Sequence, residues 1–401
     1  MTHTTALRAD ARQRIDEIGN ADILVGIPSY NNASTIAHVV RMAARGMVEY
    51  FPNMRPVIIN SDGSSPDGTR QVVLDTPLPS GVEVIATQYQ GLAGKGSAFR
   101  AVFETARELG AKVCVVVDSD LRSITPEWIE LLAGPIVKKG CGYVTPFYVR
   151  HKYDGTITNN ICYPMTRMLY GQDIRQPIGG DFGFSADLLS HYLSQEVWET
   201  DVARFGIDSW MTTTAINAGM RICQAHLGAK IHDAKDPAAS LGPMFRQVVG
   251  TLFGMMSKYE AAWKEVADHR PTDFYGEPKV LEPELVPVTL AALIAKMRAG
   301  REAWGEVWDN VLSPDNRAVL QAVLAQPDEG YRFTAEQWAP IVFDYAVAYN
   351  KAYSEQDRRG SPDKDAIIDS MTPLYYGRTA GLVAQSAEMD TDTFERDIVQ
   401  A

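Results

Sequence analysis

The sequence has few cysteines, no long apolar run and no excess of positive charge. Its cysteines are too few and too scattered for a disulfide framework or a CxxC metal site, and we interpret all four as reduced thiols of a cytoplasmic protein: Cys114, Cys141, Cys162 and Cys223. The longest apolar runs, such as Val113–Val117, are far shorter than the roughly 20 residues of a membrane-spanning helix. A net charge of −12, from 38 basic and 50 acidic side chains, argues against a general nucleic-acid surface.

The first half of the chain alternates strand and helix signals. The length of 401 residues allows two to three domains, and 45% hydrophobic residues exclude a disordered chain. Apolar residues at helical spacing predict helices at 33–46 and 97–109. Short apolar runs predict five strands: Ile23–Ile27, Val57–Asn60, Val82–Ala86, Lys112–Val117 and Gly142–Val149. This order predicts an α/β fold with a parallel sheet and helices on both faces.

The character of the sequence changes at about residue 240. Before it, we expect a Gly-rich loop at 176–185, a helix that begins at Gly206–Asp208 and an edge strand at Arg221–Ala225. After it, helical segments are predicted at 243–268, 286–312, 315–326, 334–354 and 363–388. We therefore predict a domain at 1–240 that carries the site and a helical region at 241–401 that packs on it.

Polar loops follow the predicted strands directly. Residues 28–32, 60–68 and 118–122 each come after a strand. Ligands of open α/β sheets bind beyond the carboxyl ends of the strands, so these loops should meet on one edge and form the site.

Asp118-Ser119-Asp120 is the first candidate for chemistry. Two carboxylates two residues apart at a strand end can bind one hard cation, Mg²⁺ or Mn²⁺, which would in turn hold a diphosphate. The alternative is a solvated turn or a pair of helix caps. His232 can complete the metal sphere or be a surface histidine, and His226 is a nearby competitor.

Gly94-Lys95-Gly96 precedes a helix and is a candidate anion site. Its glycines let the backbone approach an anion, and Lys95 adds a cation at the helix N-terminus. Gly96 follows the lysine where a P-loop has Ser or Thr, which excludes that class. Asp208, at another helix start, is either a functional acid or an N-cap.

A small basic group stands out in this acidic chain. Its members are either ordinary surface charge or ligands of an anionic substrate: Arg150, His151, Lys152 and Arg175.

These motifs together resemble the GT-A glycosyltransferases, and most closely the retaining enzymes that make glucosylglycerate, mannosylglycerate and glucosyl-3-phosphoglycerate. The matching residues are the 28–32 loop (PSYNN), Ser61-Asp62-Gly63-Ser64, Gly94-Lys95-Gly96, the DSDL turn, the segment Gln176–Asp181 and Phe205–Asp208 followed by His232. The resemblance covers about residues 20–240. The helical region resembles mannosylglycerate synthases only in length and general character.

The resemblance implies a role for each matching residue. The nucleotide base and ribose would be held by Pro28, Tyr30 and Asp62, the diphosphate would be contacted by Lys95, and Ser119 would also bind the donor. The donor sugar would be lined by Gln176, Gly179, Gly180 and Asp181, and Asp208 would touch the sugar or the acceptor. The metal would be surrounded by Asp118, Asp120 and His232, with Asp120 the direct ligand among the acids, and glycerate would be bound by Arg150, Thr156, Thr158 and Asn160. Asp181 stands where the family often has Glu, which affects the preference for the donor sugar.

The expected activity is therefore metal-dependent, retaining transfer of glucose or mannose from a GDP- or UDP-hexose to D-glycerate, which makes a compatible solute. Asp208, Lys95 and Asp120 are the expected catalytic residues, and the leaving phosphate itself would take the acceptor proton. Two alternatives are 3-phosphoglycerate as acceptor and a nucleotide-binding protein without turnover, which the intact DSD, GKG and His232 disfavour. A homodimer is kept open, and neither nucleic acid nor a membrane span is expected.

Overall fold

The computed structural model describes residues 4–232, 242–279, 281, 283–354 and 363–399. The chain forms two compact units, and neither is continuous in sequence. Unit 1 comprises Met1–Val149, Thr166–Asp233 and Val266–Pro283; unit 2 comprises Arg150–Met165, Ala234–Glu265 and Glu284–Ala401. This division differs from the predicted single boundary at 240/241.

Unit 1 is built on an eight-stranded sheet in the order β10-β8-β5-β7-β4-β1-β2-β3. Its strands are β1 Ile23–Ser29, β2 Pro56–Asp62, β3 Glu83–Gln88, β4 Val113–Val116, β5 Tyr143–Val149, β7 Phe182–Ser185, β8 Ile222–Ala229 and β10 Asp273–Tyr275. The pairings are parallel except those of β7, which runs antiparallel to both β4 and β5. Two short strands, β6 Gln172–Asp173 and β9 Arg270–Pro271, form a separate pair.

Helices cover both faces of the sheet, as expected. Those before residue 233 are α1 Ala9–Ile18, α2 Ile36–Tyr50, α3 Thr69–Asp75, α4 Lys95–Glu108, α5 Pro126–Lys139, α6 Tyr163–Tyr170, α7 Ala186–Leu193 and α8 Ile207–Asn217. On one face α2 and α5 pack their apolar residues on β1 and β4 in an aliphatic core. On the other face Phe103 of α4 packs on Phe184 of β7 and Tyr192 of α7 in an aromatic cluster.

Two sequence predictions about strands are wrong. The predicted Gly-rich loop at 176–185 ends in β7, because Phe182 and Phe184 are fully buried on the aromatic face of the sheet. The predicted edge strand at Arg221–Ala225 is not at the edge, because β10 pairs with its outer side. β10 lies in a Pro- and Gly-rich stretch that shows no strand periodicity, and it returns residues 266–283 to unit 1.

The prediction of four reduced cysteines is also wrong. Cys141 and Cys223 form a disulfide bond, while Cys114 and Cys162 are buried free thiols. The sheet explains the pair, because β5 and β8 are neighbours and align Val144 with Cys223. The two cysteines are 82 positions apart, so their proximity depends on the sheet order.

Unit 2 is helical. Beyond residue 240 its helices are α9 Gly242–Lys258, α10 Glu260–Trp263, α11 Leu290–Val311, α12 Pro314–Leu324, α13 Ala335–Ser354, α14 Lys364–Gln385 and α15 Thr391–Phe394. The segment 150–165 joins these helices, since the Thr156 hydroxyl bonds with that of Tyr375 at 2.5 Å and the Asn160 carbonyl accepts from Trp338 at 2.9 Å. No helix in the described part of the chain has the length and apolar character of a membrane span.

Candidate active site

The polar loops after β1, β2 and β4 meet at the carboxyl edge of the sheet, as predicted. Ser29 donates to Asp62 at 2.8 Å, and Ser119 donates to the Asn32 side chain at 2.8 Å. Because β7 runs antiparallel, the residues just before it arrive at this same edge. The end of β8 adds Lys230, so the edge collects side chains from distant parts of the sequence.

Lys95, the first residue of α4, forms ion pairs with two carboxylates. Its Nζ lies 3.0 Å from Oδ1 of Asp118 and 3.6 Å from Oδ1 of Asp208. Burial opposes the charged form, but these two carboxylates raise the pKa of Lys95 above its usual value. The lysine is therefore a fixed cation at the N-terminus of a helix, which is where an anion binds most favourably.

The glycines on either side of Lys95 serve mainly for packing. A Cβ on Gly94 would lie 2.6 Å from the Ala203 carbonyl oxygen, and one on Gly96 would lie 1.8 Å from that of Val202. The Gly96 N–H donates to the Arg204 carbonyl at 3.1 Å. These glycines let α4 begin directly against residues 202–204, which the motif alone did not indicate.

Lys230 is a functional candidate that sequence analysis missed. Its Nζ donates to Oδ2 of Asp118 at 2.8 Å, to Oδ2 of Asp181 at 3.0 Å and to the Gly179 carbonyl at 2.7 Å. Its side chain is 4% exposed. Burial would raise the pKa of Asp118, but the charges of Lys230 and Lys95 hold that pKa well below its usual value.

Asp181 lies beneath the site and is fully buried. Its carboxylate also accepts from the Asp118 backbone N–H at 2.8 Å and from the Tyr148 hydroxyl. All these partners belong to unit 1, so both oxygens of the Asp181 carboxylate already accept hydrogen bonds within that unit. The contact with a donor sugar that the resemblance implies stays a prediction.

Gly180 is required by the close approach of Asp118. Its φ is +90°, and a Cβ there would lie 2.1 Å from Oδ2 of Asp118. Its N–H donates to Oδ2 of Asp208 at 3.1 Å. The neighbouring Gly179 leaves no room for a Cβ either, which would lie 2.5 Å from the Pro146 ring.

Among the buried polar atoms that have no hydrogen-bond partner in the described part of the chain are Oε1 of Gln176 and Oδ1 of Asp208. Oδ1 of Asp208 has the ion pair with Lys95 at 3.6 Å. Burial raises the pKa of Asp208, and Lys95 only partly offsets this effect. The Gln176 amide donates weakly to the Tyr148 carbonyl at 3.4 Å. Buried acceptors that lack a hydrogen bond fit the hydroxyl groups of a ligand.

Asp120 differs from its neighbour Asp118 because it has no hydrogen bond or ion pair with any described residue. Burial raises the pKa of Asp120, and the charge of Asp118 raises it further, whereas Lys230 and His232 act in the opposite direction. The Arg122 N–H donates to the Ile231 carbonyl at 2.8 Å, which ties the turn after Asp120 to the segment that carries His232.

A divalent cation fits this arrangement in part. The described residues contain no group of three or more His, Cys, Asp or Glu side chains placed together to hold a metal. Asp118 forms ion pairs with two lysines, whereas Asp120 has no ion pair with a described residue and lies within electrostatic reach of His232. Asp120 and His232 are therefore the side chains that suit a metal, with further ligands needed from a bound diphosphate.

The predicted nucleotide residues lie at the carboxyl ends of β1 and β2. Asp62 is fully buried and accepts from Ser29 and Ser65, so it shapes the loop. Pro28 is buried within β1, and Tyr30 is 62% exposed. Beside this loop is a cavity of about 350 Å³, lined by Arg8, Gly63, Ser64, Tyr89, Gln90, Gly91 and Ala93. Arg8 and Tyr89 had no role in the sequence analysis.

The predicted acceptor residues belong to unit 2. Thr156 bonds to Tyr375, and the Asn160 amide donates to the Thr156 carbonyl at 3.0 Å, so both are used inside that unit. Thr158 is buried, and Arg150 lies 3.7 Å from Asp154. Their role in binding an acceptor stays a prediction.

Comparison with known proteins supports the resemblance. Residues 24–195 match the family model for glycosyl transferase family 2. This segment includes the Asp118-Ser119-Asp120 turn and Lys95, and it contains most of the strands of the mixed α/β sheet. The fold class predicted from the sequence is thereby confirmed. The chain has no match among curated proteins.

The chain is also similar to solved structures of glucosyl-3-phosphoglycerate synthase from Mycobacterium tuberculosis. The complex with Mn²⁺, uridine diphosphate and phosphoglyceric acid is 23% identical, with 60% of this chain and 82% of that chain covered and a TM-score of 0.47. The complex with Mg²⁺ and uridine diphosphate is 22% identical, with 61% and 83% covered and a TM-score of 0.47. The complex with Mn²⁺, UDP-glucose and glycerol 3-phosphate is 22% identical, with 64% and 87% covered and a TM-score of 0.46.

Proposed function

We propose that the chain is a metal-dependent, retaining glycosyltransferase that moves glucose or mannose from a nucleoside diphosphate sugar to D-glycerate in the cytoplasm. The observation that carries this proposal is the Lys95 ammonium, held by Asp118 and Asp208 at the carboxyl edge of the sheet. Lys95 and Asp118 lie within the segment that matches glycosyl transferase family 2, and Asp208 follows it in sequence. A fixed cation at a helix start suits a diphosphate, the leaving group of such a donor.

The donor would lie along this edge. The open cavity lined by Gly63, Ser64 and Tyr89 is the candidate place for the base and ribose. Lys95 would contact the diphosphate, and the oxygens of Gln176 and Asp208 that lack a hydrogen bond would accept from sugar hydroxyls. Nucleotide release with different donors distinguishes guanine from uracil as the base and glucose from mannose as the sugar.

Asp120 and His232 would hold Mg²⁺ or Mn²⁺, with Asp118 beside them. When bound, such a cation stabilises negative charge on a leaving diphosphate. Lys95 would add positive charge at the same group, and Asp208 would orient the sugar or the acceptor hydroxyl. Retention of configuration is what the resemblance implies, and since we assign no residue as a covalent nucleophile, we favour attack on the same face of the sugar.

We favour free D-glycerate over 3-phosphoglycerate as the acceptor. A carboxylate needs one arginine, for which Arg150 is the candidate, whereas a phosphate needs more cations. The nearest cations in sequence are engaged elsewhere within unit 2. Lys152 donates to the Ser386, Ala387 and Met389 carbonyls, and Nδ1 of His151 accepts from two backbone N–H groups.

The deciding experiment is a matrix of donors and acceptors. Four donors (GDP- and UDP-glucose, GDP- and UDP-mannose) are mixed with D-glycerate or 3-phosphoglycerate and Mg²⁺ or Mn²⁺, and nucleotide release is measured. We expect release with one donor and D-glycerate, and an α-linked product by NMR. A preference for 3-phosphoglycerate would show that it, and not D-glycerate, is the acceptor. A β-linked product would exclude retention of configuration. Nucleotide binding without release under all conditions would favour a regulatory protein.

A further inference from the structure

Lys230 is more enclosed than Lys95, with 4% of its side chain exposed against 19%. Its three ammonium hydrogens are matched by three acceptors, namely Asp118, Asp181 and the Gly179 carbonyl, at 2.8, 3.0 and 2.7 Å. The ring of Tyr148 lies 5.1 Å from its Nζ. Burying an ammonium group costs free energy unless the group is paired and fully hydrogen-bonded. These three acceptors therefore stabilise the charge of Lys230 in its buried position.

The acceptors of Lys230 come from different strand ends. Asp118 follows β4, Gly179 and Asp181 precede β7, and Lys230 itself follows β8. β8 is separated from β4 in the sheet by β5 and β7. Lys230 therefore ties the end of β8 to the ends of β4 and β7, with which β8 does not pair directly.

Lys230 also determines which oxygen of Asp118 is left for Lys95. Oδ2 faces Lys230, and Oδ1 faces Lys95 at 3.0 Å. The absence of a Cβ on Gly180 allows Oδ2 to come so close. If Lys230 were uncharged, the Asp118 carboxylate could rotate and pair with Lys95 through both oxygens, which would draw that lysine away from a ligand.

We propose that Lys230 is a positioning residue for sugar transfer. It fixes the Asp118 carboxylate so that Lys95 stays directed at the diphosphate, and it fixes the backbone that leads to His232. This inference rests on the proposed function. The segment after Lys230 is held as well, because the Ile231 N–H donates to the Ser123 hydroxyl at 2.9 Å.

The test compares Lys230→Met, Lys230→Arg and the control Lys138→Met. Lys138 forms an exposed ion pair with Glu130 on α5 at 2.8 Å, so its variant also loses an ion pair of unit 1, away from the site. The full-length variants are assayed for nucleotide release with the best donor and acceptor of the wild type, and their unfolding temperatures are measured. We expect kcat of Lys230→Met to fall about 100-fold, the loss typical of a small misplacement of catalytic groups.

The acceptor KM should change less than threefold in Lys230→Met, and Lys230→Arg should recover at least a tenth of wild-type kcat. Lys138→Met should keep full turnover. A merely structural role would lower the unfolding temperature but leave kcat of the folded protein unchanged. A kcat of Lys230→Met within threefold of that of Lys138→Met overturns the proposal.

If Lys230→Met does not fold, the double variant Asp181→Asn/Lys230→Met decides, since it removes the carboxylate that would be left buried without a cation. A further loss of at least 30-fold in kcat relative to Asp181→Asn alone supports the proposal, and equal kcat values overturn it. Failure of the proposed function is a separate outcome, because then the wild type itself releases no nucleotide with any donor and acceptor.

Discussion

The Nζ of Lys95 lies 3.0 Å from Oδ1 of Asp118, although these residues belong to two motifs separated by a helix and a strand. The glycine-flanked lysine and the aspartate turn thus form one charged unit. A lysine whose charge is already balanced can still bind a phosphate, because its carboxylate partners hold it in place and keep it protonated.

Lys95→Met should weaken nucleotide binding and slow turnover. The variant removes a charged hydrogen-bonding partner, for which we expect a loss of about 1.5–3 kcal/mol in binding. Calorimetric titration of the nucleoside diphosphate measures it. Lys112→Met is the matched control, because Lys112 pairs with Asp22 at 3.0 Å but is 72% exposed. Equal affinity of both variants would assign Lys95 a structural role only.

Asp120→Asn should abolish most of the metal-dependent activity and leave the metal-free fold intact. The pKa of Asp120 is raised by burial and by Asp118, so its charge opposes folding when no cation balances it. We expect the variant to unfold at the same or a slightly higher temperature than the wild type in EDTA, while its nucleotide release falls at least 100-fold with Mg²⁺ or Mn²⁺. Full wild-type activity in EDTA would contradict the metal requirement.

Gly180→Ala should lower turnover by more than its loss of folding stability explains. Its methyl group would collide with Oδ2 of Asp118 and would occupy a residue at φ +90°. Gly140→Ala is the control for backbone strain, because Gly140 has φ +67° and nothing within 4 Å of a Cβ. Both variants should lose roughly 1–2 kcal/mol of unfolding free energy from the left-handed backbone. Only Gly180→Ala should also lose turnover, by at least tenfold, in steady-state assays.

Arg150→Ala should raise the acceptor KM and leave donor affinity nearly unchanged. The expected loss is about 1.5–3 kcal/mol, as for a charged hydrogen bond to a carboxylate. Arg150→Lys should recover only part of it, since a lysine lacks the two-pronged geometry of arginine. Kinetics with D-glycerate and with 3-phosphoglycerate measure the effect on each acceptor. An unchanged KM for both would remove Arg150 from the acceptor site.

Much of unit 1 is predictable from local patterns. The strands that begin at Ile23, Pro56, Glu83 and Val113 are short apolar runs followed by polar turns, and each was predicted within a few residues. Parallel strands bring their carboxyl ends to one edge, so the grouping of the loops that contain Ser29, Asp62 and Ser119 followed from topology alone.

Other features depend on contacts that no local pattern carries. The strand β7 has no clear signal in the sequence because it lies in a Gly-rich segment. It has only four residues, and the glycine between Phe182 and Phe184 packs against the Leu132 carbonyl. β10 was hidden among prolines and glycines. Cys141 and Cys223 become partners only through the pairing of β5 with β8.

The identity of the motifs, Asp118-Ser119-Asp120 and Gly94-Lys95-Gly96, was readable in the chain because each lies within a few consecutive residues. The partner of each charged side chain could not be predicted from the sequence. Asp118 pairs with lysines, Asp120 stays without such a partner, and Lys230 holds Asp118 and Asp181. These differences arise because the environment of a carboxylate is decided by which strand ends meet around it, and the antiparallel insertion of β7 brings Asp181 and Gly179 there. Local sequence specifies the chemistry of each side chain, and long-range packing selects its partner.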